Sequence, residues 1–453
     1  MTEVTRRDFF RRAARVGTGA LLAPSLQGLV ACARLGRVSG GPGQGGYGPL
    51  VSTGPELALP AGFSYVMFGV EGDLMSDGNP TPRAHDGMGA FALANGNTLL
   101  IRNHEDRDEP GEAELVGSPA AAYDRKAGGG TTSLEVRIGA DGTPELVRDF
   151  VSLNGTIVNC AGGPTPWGSW LSCEESTAGR EQGWEQDHGY VFEVAAAGSG
   201  LSAEPLKELG RFVHEAVAVD PVTGVVYETE DTGDAGFYRF IPRVPGRLSE
   251  GGRVQMLAVE GRPRYHTVAG QRPGVTLPVS WVDIADPDPA GAGSNSSAVF
   301  EQGYERGGAV FSRLEGCWYG DRSVYFHATD GGDQELGQVW RYNPAPGDGS
   351  LTLIFESPDA SVLAAPDNIT VSPRGGLVLC EDSAGAYLRG LTKDGKIFDF
   401  ARNVVNQREF AGACFGPDGQ TLFVNIQGDT KSGGPGNPGM TFAIRGPWRM
   451  GAL

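Results

Sequence analysis

With 453 residues and 40% hydrophobic content, the chain is long and apolar enough to bury a large core and is not an intrinsically disordered polypeptide. Its 71 glycines and 30 prolines follow no collagen period and suit short strands joined by tight turns. A formal net charge of −18 repels nucleic acid and anionic lipid headgroups, which argues against both as partners.

The first element in chain order is a leader. Thr5-Arg6-Arg7-Asp8-Phe9-Phe10, followed by Arg11, Arg12 and Arg15, precedes a weakly apolar run from Val16 to Ala31. Paired arginines before such a run read as a twin-arginine export signal over residues 1–31. The run contains Pro24 and Gln27 and is too short for a stable membrane span. It ends in Leu29-Val30-Ala31-Cys32, which reads as a lipobox with Cys32 as the lipidated first residue of the mature chain. Residues 32–54 are glycine-rich, as suits a tether. The expectation is a protein exported by the twin-arginine route, periplasmic or held at the cell surface by a lipid.

A single domain is expected from residue 55 to 453. Its signal is one hairpin pattern met six times: a polar start, an apolar strand, a tight turn, a second apolar strand and an acidic end. The first copy runs from His85-Asp86 through Asn95-Gly96-Asn97 to Asn103-His104-Glu105. The second runs from Asn159-Cys160 through Pro166-Trp167-Gly168 to Cys173-Glu174-Glu175, and the third from His214-Glu215 to Glu228-Thr229-Glu230-Asp231. The fourth runs from Arg313-Leu314-Glu315 to Thr329-Asp330, the fifth from Asp367-Asn368 to Glu381-Asp382, and the sixth from Glu409 to Asn425 and Asp429. Repeats of this kind predict an all-β fold, a six-bladed β-propeller. Residues 106–130, 176–189 and 240–300 are expected as its most exposed insertions.

An antiparallel hairpin sets the start of its first strand beside the end of its second. Six hairpins therefore aim their polar ends at one mouth. Asp86, Glu105, Glu174, Glu175, Glu215, Glu230, Asp231, Glu315, Asp330, Asp367, Glu381 and Asp382 all become candidates to line it. Two carboxylates sharing a site already push one pKa up, so a larger set needs protons or cations. Oxygen ligands suit Ca²⁺, and carboxylates with a thiolate and imidazole also admit iron or zinc. Of the five cysteines after Cys32, Cys317, Cys380 and Cys414 lie in apolar runs. Cys173 stands beside Glu174-Glu175, where negative neighbours disfavour a free thiolate and a metal would favour one. Neither a Gly-x-Ser-x-Gly elbow nor a Gly-Lys-Ser/Thr phosphate loop occurs.

Several of these segments resemble the PhoX family of alkaline phosphatases. The most specific is Thr165-Pro166-Trp167-Gly168-Ser169-Trp170-Leu171-Ser172-Cys173-Glu174-Glu175. Asn103-His104-Glu105, Asn159-Cys160, Gly210 to Glu215, Glu228 to Asp231, Arg313-Leu314-Glu315 and Pro366-Asp367-Asn368 accompany it. The resemblance implies a six-bladed propeller holding iron (Fe³⁺) and calcium (Ca²⁺) in its channel and cleaving small phosphate esters. It implies Cys173 as an iron ligand and Glu215 and Glu315 as further metal ligands. It also implies Glu174, Glu230, Asp231 and Asp367 around calcium, with Arg313 and Asn159 on the substrate phosphate; Glu381 is a further candidate ligand from the hairpin pattern. Where the family has Asp-Arg-Pro-Glu, this chain has Ser312-Arg313-Leu314-Glu315 and so lacks the acid and the proline. A monomer is expected. Two other readings stay open: a calcium-dependent lactonase-like hydrolase, in which Cys173 has no role, and a non-catalytic propeller stabilised by calcium.

Overall fold

The computed structural model describes residues 45–197, 203–345 and 347–453; the leader and Cys32 lie outside the described residues. Val, Ile, Phe, Tyr and Trp fill short alternating runs between Gly, Pro and Asp turns, and such runs become strands. Among the described residues there is one α-helix, Ala298–Glu305, and no helix is long and apolar enough to cross a membrane.

The strands form antiparallel sheets taken in chain order. The first sheet begins with His85–Ala92 and Thr98–His104, and the second with Asn159–Pro164 and Ser169–Glu174. A nine-stranded sheet has His214–Val219 at one edge and Leu314–Gly320 at the other, its halves joined where Thr276–Asp283 pairs with Ser350–Glu356. Pro366–Val371 opens the next sheet, and Phe410–Phe415 opens the last. The last sheet is completed by Ser64–Phe68 from the other end of the chain, which pairs with Met440–Arg445.

The six opening strands pack side by side in chain order, and Phe410–Phe415 packs back onto His85–Ala92. The fold is thus all-β with a closed, propeller-like ring. Apolar clusters fill the spaces between successive sheets. Leu171, Val191, Phe212 and Tyr238 fill one, and Phe237 and Phe326, stacked 4.2 Å apart, lie in another. Tyr47 ties the start of the described residues to the C-terminal segment, its hydroxyl lying 3.1 and 2.9 Å from the Trp448 and Leu453 carbonyls.

One local device repeats around the ring. Each opening strand carries a β-bulge, in which two residues face one on the partner strand. The bulged pairs are Asp86-Gly87, Cys160-Ala161, Glu215-Ala216, Glu315-Gly316, Asp367-Asn368 and Gly412-Ala413. At three of the six, the single residue opposite the bulge reaches for the next opening strand of the ring. Asn103 Nδ2 donates to the Cys160 and Ala161 carbonyls at 3.1 and 2.7 Å, Thr229 Oγ1 to the Glu315 carbonyl at 2.7 Å, and the His327 ring pairs through Nδ1 with the Asp367 carbonyl at 3.0 Å. The bulges at Cys160, Glu315 and Asp367 are therefore held from the preceding hairpin.

Asn103 also accepts from the Trp170 indole and the Ser172 hydroxyl, all of them buried. Replacing it with Ala leaves several buried groups unpaired, at about 1–3 kcal/mol each. Asn103→Ala is expected to lower unfolding free energy in urea by about 3–5 kcal/mol; a loss below about 1 kcal/mol would contradict the latch.

Candidate metal centre in the channel

The bulge re-aims its first residue out of the sheet and into the ring. Five of those residues are metal-ligating types, Asp86, Cys160, Glu215, Glu315 and Asp367, and all five are buried. After the first four the next residue is Gly or Ala, because the opposing backbones come close. A side chain at Gly87 would run into the Ala161 backbone, and one at Gly316 into that of Asp367. Gly87, Ala161, Ala216, Gly316, Asn368 and Ala413 narrow the channel below the acids.

More acids reach the mouth from the ends of second strands: Glu105, Glu175, Asp231 and Asp382, joined by Glu409 from the entry to the last sheet. Asp86, Glu105 and Cys160 offer ligand atoms within 4.8 Å of one another; so do Cys160, Glu215 and Asp367, and so do Asp367, Asp382 and Glu409. The sets share Cys160 and Asp367 and form one run across the channel. Cys160 Sγ lies 3.2 Å from Glu215 Oε1, and the Gln427 amide donates to Asp86 and Glu105 at 2.8 and 2.7 Å.

Burial raises the Asp86 carboxyl well above its usual range, and Glu105 and Asp367 push it further. Burial does the same to Glu215, with Asp367 and Glu175 adding to it, and to Glu315, with Asp231 and Asp367 adding to it. The Cys160 thiol is raised by burial and then by Asp86 and Glu215. Asp86 Oδ1 and Glu215 Oε2 are buried without a hydrogen-bond donor. Orphaned oxygens among mutually repelling acids are what bound cations would satisfy, so the residues fit a metal cluster. Carboxylates with one thiol suit calcium together with a transition metal such as iron.

Arg313 stands at the rim with φ of 44°, in the left-handed region. Ala84, Val158 and Ala365 share that conformation, and each likewise directly precedes an opening strand. Arg313 forks onto both Asp231 oxygens at 2.9 Å and reaches Glu315 at 2.9 Å. Arg107 pairs with Glu105 and Glu175 through one guanidinium nitrogen. Ser312 hydrogen-bonds Asp330, so a carboxyl still stands beside Arg313 although the family's preceding acid is absent.

Of the residues expected in the site, Glu215, Glu315, Asp367, Asp231 and Arg313 gather at the mouth. Cys173, Glu174, Glu230, Glu381 and Asn159 do not, and strand geometry explains each. Glu174, Glu230 and Glu381 are the last residues of second strands, and alternation turns them from the channel while the next residue, Glu175, Asp231 or Asp382, faces it. Each fastens the loop into the third strand. Glu174 accepts from the Gly189 and Tyr190 amides, Glu230 from Gly236 and the Tyr238 hydroxyl, and Glu381 from Tyr387 and Arg389. Cys173 lies opposite the Cys160-Ala161 bulge and packs in the apolar cluster between sheets. Asn159 precedes that bulge, and its amide is engaged by the Thr156 and Ser172 hydroxyls at 2.6 and 2.9 Å.

Cys160, Glu409, Gln427 and Arg107 are the site residues that sequence reasoning passed over. An available signal was the pairing of a ligand-type residue with a small one, as in Asp86-Gly87, Cys160-Ala161, Glu215-Ala216 and Glu315-Gly316. Segment 176–189 is also not simply an exposed insertion. It buries His188 between Glu174, 2.6 Å away, and Asp124, 3.5 Å away. Burial opposes charge on His188, but the two acids prevail and push its pKa up to about 9.

Fold and site together define a propeller-like protein with a candidate metal centre of buried acids and a thiol. A family model described as alkaline phosphatase PhoX matches residues 45–429. The chain belongs to that family, the PhoX alkaline phosphatases, which are phosphate-ester hydrolases. No curated protein matches the chain. Among solved structures it is similar to Pseudomonas fluorescens PhoX in complex with vanadate, a transition-state analogue. That likeness has 18% identity, covers 89% of this chain and 98% of that one, and has a TM-score of 0.69, which bears on the fold. A Xanthomonas campestris gluconolactonase aligns at 13% identity over 81% of this chain and 97% of its own, with a TM-score of only 0.34.

Two outcomes are expected. Cys160→Ser lowers bound transition metal to half or less, whereas Cys173→Ser keeps it, as read by elemental analysis; the reverse pattern would restore Cys173 to the site. In the metal-free folded protein, burial and mutual repulsion raise the Asp86, Glu215 and Glu315 carboxyls above the range in which the unfolded chain loses its protons, about pH 4–4.5. Stability of metal-stripped protein therefore falls as pH rises. Its thermal midpoint is expected to drop between about pH 5 and pH 8 and to recover with added calcium. A midpoint independent of pH and calcium would contradict the cluster.

Proposed function

We propose that this PhoX-family chain hydrolyses small phosphate monoesters at the channel mouth, with iron and calcium as resident cations. The observation that carries the reading is the ring of bulges, which delivers Asp86, Cys160, Glu215, Glu315 and Asp367 from five opening strands to one place. Those five would hold the cations, with Glu105, Glu175, Asp231, Asp382 and Glu409 around them. When bound, the metals supply positive charge that stabilises the transferring phosphoryl group.

The chain's own residues supply the rest. Arg313 presents a planar guanidinium at the rim, with its side chain 32% exposed, and its fork matches two non-bridging phosphate oxygens. Asp231 and Glu315 hold that fork in place until an ester arrives. The narrow channel floor keeps chemistry at the rim, where the leaving alcohol can depart to solvent. The ester P–O bond breaks, a water oxygen joins phosphorus, and the products are an alcohol and inorganic phosphate.

The nine-stranded sheet is read as two blades joined at their outer strands, which makes six blades in all. The leader over residues 1–31 and Cys32 support export by the twin-arginine route and a lipid-anchored place in the periplasm or at the cell surface. We take the working unit to be a monomer.

Metal-replete protein is expected to release p-nitrophenol from p-nitrophenyl phosphate, to lose that activity to a chelator and to regain it with calcium. Arg313→Gln should lower kcat/KM by roughly 10²–10³. Full metal content without turnover of any phosphate ester, alongside hydrolysis of a lactone, would replace this reading with the lactonase-like one.

A further inference from the structure

Four arginines stand near the mouth, and their partners separate them. Arg83 pairs with Asp106 and Asp108, and Arg408 with Asp429, outside the sets of ligand atoms that converge in the channel. Arg107 and Arg313 alone of the four pair with acids of the mouth itself. Arg107 bridges Glu105, whose carboxylate belongs to the Asp86–Cys160 set, and Glu175. Arg313 bridges Asp231 and Glu315. Asp231 in turn faces Glu175. A continuous line, Arg107–Glu175–Asp231–Arg313, therefore crosses the mouth with a guanidinium at each end.

The two side chains are similarly placed. Arg107 is 26% exposed and Arg313 is 32% exposed, while the carboxylates between them are almost wholly buried. Arg107 follows the second strand of the first sheet and Arg313 directly precedes the fourth opening strand, and the two reach the Glu175–Asp231 pair from its two ends. Each guanidinium is held on carboxylates and remains partly exposed to solvent. Two such guanidiniums at the ends of one carboxylate pair offer donors to an anion that has several oxygens.

Resting on the phosphatase reading above, the geometry points to Arg107 as a second phosphate-binding residue that works with Arg313 and favours dianionic monoesters over monoanionic diesters. The second guanidinium offsets the extra negative charge that a monoester carries and a diester lacks. Its contribution is thus larger for the monoester. It also strengthens binding of the product, inorganic phosphate.

The test uses full-length metal-replete protein, with inorganic phosphate as the probe and calorimetry as a readout separate from turnover. Arg107→Gln is expected to weaken phosphate binding at least about tenfold, the worth of one charged hydrogen bond. It should also lower kcat/KM on p-nitrophenyl phosphate several-fold more than on bis-p-nitrophenyl phosphate. Arg107→Lys, which keeps the charge without the fork, should fall between wild type and Arg107→Gln on both readouts. Wild-type phosphate affinity in Arg107→Gln at full metal content would overturn the assignment. So would loss of metal with unchanged phosphate affinity per loaded site, which would make Arg107 only a counter-ion of Glu105 and Glu175. If wild-type protein neither binds phosphate nor cleaves either ester, it is the phosphatase reading that fails.

Discussion

Repulsion among buried carboxylates is the constraint around which this ring is organised. Asp86, Glu215, Glu315 and Asp367 are removed from water and converge on one channel from separate strands, with the Cys160 thiol among them. Each burial disfavours charge, and each neighbour disfavours it again. Left to themselves, such groups would hold protons and weaken the fold at neutral pH. With cations between them, the same groups become ligands, and their mutual repulsion becomes affinity. Rim arginines provide the remaining positive charge, on the side from which an anionic ester must approach.

The backbone serves that arrangement. A regular strand alternates its side chains, and adjacent acids would point to opposite faces. The bulge breaks the alternation at the same place in each opening strand and sends one side chain into the ring. Small residues follow because the strands converge there. Carbonyls at three of the bulges are held from the preceding hairpin by Asn103, Thr229 and His327, so a fold-stabilising hydrogen bond also orients a candidate ligand. The acids that turn away from the channel, Glu174, Glu230 and Glu381, secure the loops that follow and thereby the position of their channel-facing neighbours.

Much of the fold was legible in the sequence. Turn signals such as Asn95-Gly96-Asn97, between runs of apolar residues, located hairpins whose strands the structure places at His85–Ala92 and Thr98–His104. The common mouth followed from antiparallel pairing alone. Ligand identity was less legible. Acid pairs such as Glu174-Glu175 and Glu230-Asp231 look equivalent in sequence, and only strand alternation selects the second of each. Cys173, beside two acids, drew attention from Cys160, because a bulge leaves no composition signal beyond the small residue after it. Arg107, Gln427 and the partners of His188 come together only through loops, whose paths depend on tertiary contacts.

The central claim is that the gathered acids bind cations by surrendering protons. The direct measurement is proton release, followed by indicator dye or pH-stat, as calcium and iron are added to metal-stripped protein near pH 7. Metal ligation by protonated carboxyls and a thiol should liberate more than one proton per protein, saturating with metal occupancy. Metal that binds without releasing protons, or fails to bind at all, would contradict the account.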